Sequence, residues 1–115
     1  MYGLALPTAA TILLLMTATA MALECPVPAG IADQAQAAAI DKILPDGVDL
    51  EAPQALQSAV FELKQAGIAD DVILDNLIAA QCASVNTLPG VSDDDKTQRV
   101  QAFSTEADTA VFGGN

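Results

Sequence analysis

Histidine and tryptophan are absent from this sequence, and cations are scarce: four Lys and Arg stand against fifteen Asp and Glu. Without histidine, the common Ser–His and Cys–His nucleophilic pairs cannot be built. Histidine-containing metal sites are excluded for the same reason, and two thiols alone make a poor zinc site. So few cations leave no source for the counterion release that drives nucleic-acid binding. The formal charge of −11 also disfavours an anionic membrane surface. No segment alternates convincingly between apolar and polar residues, so no strand precedes a Gly-rich turn of the phosphate-cradling kind. Together these absences lead to the expectation of a protein that is not an enzyme and carries no cofactor. If the charge has a partner, that partner is basic or cationic.

At 115 residues the chain reads as one domain behind a leader. Residues 1–23 carry no charged side chain and contain the apolar run Ala9–Met16, followed by small residues. Ala20-Met21-Ala22 is an A-x-A cleavage pattern, placing the cut between Ala22 and Leu23, with Ala18-Thr19-Ala20 as the second choice. The peptidase pocket admits only small side chains at those positions. The n-region lacks the usual Lys or Arg. The alternative is therefore an uncleaved anchor, since Gly3–Leu23 is long enough to span a bilayer. Pro7 and the threonines Thr8, Thr11, Thr17 and Thr19 argue for cleavage. The expected layout is a signal peptide over 1–22, an extended Pro-containing arm over 23–30, a helical domain over 31–112 and a frayed tail over 113–115. The mature protein is then periplasmic or secreted, and has no membrane contact unless the leader stays as an anchor.

Export and an even cysteine count favour a Cys25–Cys82 disulfide. Lipidation of Cys25 would need Leu three residues before it and a small residue just before it; Ala22 and Glu24 stand there instead.

Four helices follow from periodicity and punctuation. Pro26 and Pro28 keep the arm extended. The first helix is expected over Ile31–Leu44, with Ile31, Ala35, Ala38, Ala39 and Ile43 as its apolar stripe, and Pro45-Asp46-Gly47 ends it. The second runs over Ala52–Ala66, opened by Pro53 in its first turn and striped by Leu56, Ala59, Val60 and Leu63. The third runs over Asp70–Val85, with Leu74, Leu77, Ile78, Cys82 and Val85 on one face. The fourth opens at the N-cap Ser92, with Asp93, Asp94 and Asp95 in its first turn and Val100, Phe103, Ala107 and Val111 turned inward. The fold class is all-α: a small four-helix bundle or orthogonal helical array with one disulfide. Gly30-Ile31-Ala32-Asp33 recurs as Gly67-Ile68-Ala69-Asp70, and Leu44-Pro45 recurs as Leu88-Pro89, which suggests two helix-turn-helix units.

The acidic residues offer two candidate chemistries. Asp46, Asp49 and Glu51 surround a glycine turn and are weak calcium candidates, because hard cations prefer carboxylate oxygens. The EF-hand spacing is absent, and acids at helix starts are better explained by the helix dipole. Asp71 and Asp75 are i, i+4 neighbours on one face, the arrangement carboxylate-only acid–base work would need, and a solvated surface accounts for them equally. Lys96 and Arg99 are expected to pair with Asp95 or with carboxylates of an adjacent helix. Phe112, close to the tail, is expected to pack under the bundle.

The first functional reading is a non-catalytic binding or interaction module of the cell envelope, docking a basic envelope or secreted protein. The second comes from layout. Cys25, the run Leu77-Ile78-Ala79-Ala80-Gln81-Cys82 and the helix from Ser92 resemble the arrangement of the small HdeA-type acid-stress chaperones of the periplasm. The tryptophan and lysine-rich tail associated with that family are absent here. The resemblance implies a pH-responsive chaperone: protonating fifteen carboxylates swings the side-chain charge from −11 to +4, which would loosen the fold and expose its stripes.

Overall fold

The computed structural model describes residues 23–28 and 30–113. The expected leader over 1–22, with Ala22 on one side of its cut, lies outside them, as do Gly114 and Asn115. The described residues form four helices and no strand: α1 Gln34–Ile43, α2 Pro53–Gln65, α3 Asp70–Asn86 and α4 Asp93–Phe112. Among these residues no helix is long and apolar enough to cross a membrane.

Each helix end has a local cause. Asp33 starts α1 by accepting the Gln36 N–H at 3.0 Å. The helix thus begins three residues later than Ile31, because the cap holds its own backbone extended. Pro53 opens α2 where its missing N–H does no harm. That helix closes on a left-handed Gly67, whose N–H reaches the Lys64 carbonyl at 2.9 Å while the Ile68 N–H reaches the Leu63 carbonyl at 3.3 Å. This double bond pattern is a Schellman motif, and it places Ile68 against Leu63 inside the core. Ser92 caps α4 through the Asp95 N–H at 3.1 Å, and Asp93, Asp94 and Asp95 lie at the positive end of its dipole. Between α1 and α2, the Val48 N–H closes a turn on the Pro45 carbonyl at 3.1 Å, with Gly47 at a φ of 81° that L side chains rarely adopt.

Each consecutive pair packs together, α1 on α2 and α3 on α4, and α2 also packs against both α3 and α4. The α3–α4 contact is the most extensive. Leu56, Val60 and Leu63 of α2, Ile73 and Leu77 of α3, and Phe103, Ala107 and Val111 of α4 form the core, with Leu44, Leu50 and Ile68 from the connections.

Two expected stripes are redrawn. In α1 no residue is buried: Ala35 and Ala38 are exposed, and Ile31, Ala39 and Ile43 are half-buried beside it. The helix lies at the edge, chiefly against α2, and its alanines are too small to reach further. In α3, Leu77, Cys82 and Val85 are buried as expected, but Leu74 and Ile78 are half-buried, and Ile73 and Gln81 take innermost places. Neighbours α2 and α4 on different sides rotate and widen the buried face. Phe112 is 54% exposed rather than packed under the bundle, and Phe61 is 63% exposed. The matching tetrapeptides also act differently: Asp33 is a side-chain cap, whereas Asp70 is the first residue of α3 behind the uncapped Ala69.

Candidate functional site

The disulfide joins Cys25 on the arm to Cys82 on α3, with Cα atoms 5.6 Å apart. Cys82 is buried, so the arm is tied to the inner face of α3. A second tie lies one turn further along. The side-chain amide of Asn86, the last residue of α3, accepts the Leu23 N–H at 2.9 Å and donates to the Leu23 carbonyl at 2.6 Å.

The cations are drawn into the frame of the fold. Lys96 is only 8% exposed, and its ammonium donates to the Asn86 carbonyl at 3.1 Å. It therefore closes the negative end of α3 from α4. No carboxylate lies within 4 Å of it among the described residues, so the expected ion pair is replaced by a backbone contact. Burial draws the side chain toward the end of α3, where a free carbonyl is waiting. Lys64 does the same for α4, donating to the Val111 carbonyl at 2.8 Å, with Asp70 3.9 Å away. Arg99 lies 3.7 Å from Glu51, a half-exposed pair worth about 1 kcal/mol or less. Lys42, in the last turn of α1, is exposed.

All fifteen carboxylates are exposed. Only Asp70 and Glu51 have a cation within 4 Å among the described residues. The rest form an acidic coat spread over the arm, α1, the α1–α2 connection, α2, the start of α3 and much of α4.

The calcium candidates do not converge. The Asp49 carboxylate accepts the Glu51 N–H at 3.0 Å, and Glu51 turns to Arg99. Asp49 and Glu51 line one cleft of about 170 Å³, whereas Asp46 lines a different hollow beside Leu44 and Ala80. Among the described residues no group of three or more Cys, Asp or Glu is placed to hold a metal ion. Asp71 and Asp75 share the outer side of α3, both exposed.

Two features escaped the sequence reading. Gln81 is 2% exposed, and its side-chain oxygen accepts the Leu50 N–H at 2.9 Å, which anchors the α1–α2 connection onto α3. Ser84 donates to the Val48 carbonyl and adds a second anchor. The signal was present: Gln81 follows Leu77 by four residues and Ile73 by eight, on the buried face. Asn86 gave no such signal, because its partner is 63 residues away.

The wider groove, about 320 Å³, runs between α2 and α4 and is lined by Pro53, Leu56, Gln57, Thr105, Glu106, Thr109 and Ala110. Its Thr105 and Thr109 hydroxyls donate to the Gln101 and Thr105 carbonyls of the same helix. No family model, curated protein or solved structure matches this chain.

Proposed function

We propose that this protein is exported, loses residues 1–22 and works as a non-catalytic acidic interaction module that docks a basic protein of the cell envelope. One observation carries the reading: every carboxylate is exposed, and only two have a cation within 4 Å among the described residues. Three of the four cations are committed to internal contacts. The negative field is thus left for an outside partner. Such a field speeds encounter and sets orientation more than it adds affinity. The disulfide supports an oxidising compartment.

The test is capture from an envelope extract with the exported protein as bait, in low salt and in about 0.5 M salt, where the screening length falls to a few ångströms. Basic proteins should be retained in low salt and released by high salt. Replacing Asp93, Asp94 and Asp95 by Asn together should weaken capture. Retention that is indifferent to salt would refute the electrostatic reading.

The acid-responsive chaperone is the second reading. It draws on the tie between the arm and α3, which persists when the packing loosens. An apolar dye that binds at pH 2–3 but not at pH 7 would favour it, and equal dye binding would remove it.

A further inference from the structure

The Asn86 amide spends both its polar ends on a single residue. Its oxygen accepts the Leu23 N–H at 2.9 Å, and its nitrogen donates to the Leu23 carbonyl at 2.6 Å, the same nitrogen lying 3.3 Å from Cys25 Sγ. A primary amide set against a backbone N–H and C=O reproduces one rung of a strand pairing, so it fixes both the position and the direction of the chain there. Leu23 is also the residue that follows Ala20-Met21-Ala22, where the small-residue pattern puts the cut. Two independent observations, a cleavage pattern and a hydrogen-bond bracket, meet at one residue.

We propose that Leu23 is the amino terminus of the mature protein and that Asn86 is its receptor, holding the ammonium that the cut creates. The proposal rests on the leader-removal reading above. In the cut, water adds across the Ala22–Leu23 peptide bond; Ala22 keeps the carboxylate and the Leu23 amine takes up a proton. One N–H donor becomes three. One stays on Asn86 Oδ1, and the others reach solvent, because Leu23 is half-buried. The site suits a cation, since it lies at the C-terminal, negative end of α3. Lys96 is the nearby like charge, but it uses a separate acceptor, the Asn86 backbone oxygen. An uncut chain fills the same bracket with a neutral N–H. Charge at Leu23 is therefore what an experiment must read.

The full chain is expressed with its own leader, recovered from the envelope and weighed intact. It is then labelled briefly at neutral pH with an amine-acylating reagent, and the α-amine is read by peptide mass spectrometry against exposed Lys42 as an internal standard. The expected result is a chain starting at Leu23 whose α-amine is acylated about tenfold more slowly than in Asn86→Ala, the scale of a hydrogen bond to a charged group. Asn86→Asp, which keeps the acceptor oxygen, should retain slow labelling. If Asn86→Ala does not fold, the unfolded wild-type chain gives the fast reference. A chain starting at another residue overturns the leader cut and the proposal together. A chain starting at Leu23 whose α-amine labels as fast as the Asn86→Ala or unfolded reference overturns the docking alone.

Discussion

The two halves of the disulfide should not be equivalent, and the size of the difference follows from burial. Opening a bridge between residues 57 apart in sequence costs about 4 kcal/mol in the chain-entropy model. That figure is an upper bound here. Once the bridge is broken, the folded protein can also release its arm, which is then held by the Asn86 bracket. The released arm returns entropy to the folded state, so a loss of about 2–4 kcal/mol is expected for Cys25→Ser. Cys25 is partly exposed, and a serine there finds water. Cys82 is 1% exposed, so Cys82→Ser also places a hydroxyl where nothing hydrates it, adding about 1–3 kcal/mol. The assay is urea unfolding followed by far-ultraviolet circular dichroism. It compares the oxidised protein, the reduced protein and the two variants. Reduced wild type should fall beside Cys25→Ser, because a buried free thiol behaves as a small apolar group. In a thermal scan each kcal/mol is worth about 4–8 °C in a domain of this size. The reasoning is refuted if Cys25→Ser matches the oxidised wild type, or if the two serine variants unfold at the same urea concentration.

Leu77 has no exposed surface and lies between α2 and α4, so Leu77→Ala should cost about 2–5 kcal/mol, read as a lowered urea midpoint with an unchanged slope. Gln81→Leu keeps the volume but strands the Leu50 N–H; a loss of about 1–3 kcal/mol is expected, with faster amide exchange at Leu50 as the specific readout. Gly67→Ala puts a side chain at a φ of 83° and should cost about 1–2 kcal/mol, whereas the equivalent change at Gly30, where open space surrounds the position, should be near neutral by the same melting assay. Phe61→Ser, on a ring 63% exposed, should shift stability by no more than about 0.5 kcal/mol, measured by the same unfolding curve.

Most of the secondary structure was legible because its causes are local. Ser92 with three aspartates behind it, Pro53 within a first turn and Pro45-Asp46-Gly47 each act on neighbours a few residues away. The starts and stops of α2, α3 and α4 therefore fall within a residue or so of expectation. The start of α1 is less legible, because Asp33 fits a helical pattern equally well and only its side-chain bond to the Gln36 N–H makes it the cap. Stripes were read less well. The pattern of α3 is apolar on more than one side, and periodicity alone does not say which side meets α4 and which meets α2. Phe112 stands at the last turn of α4, where no further element among the described residues covers it.

The helices, the acidity and the pairing partner available to each cysteine are readable from the residues alone, since each depends on composition or on residues within a turn of one another. The packing of the helices settled which distant partners the polar groups between them met. Gln81 anchors a connection 31 residues away, Asn86 brackets Leu23, and Lys64 and Lys96 close the carbonyl ends of other helices. The reason is that a buried polar group must find a partner wherever the packed helices bring one, and that meeting is written in no local pattern. The acidic coat belongs to both. Fifteen carboxylates against four cations make it a property of composition, and folding adds to it by committing Lys64 and Lys96 to helix-end carbonyls.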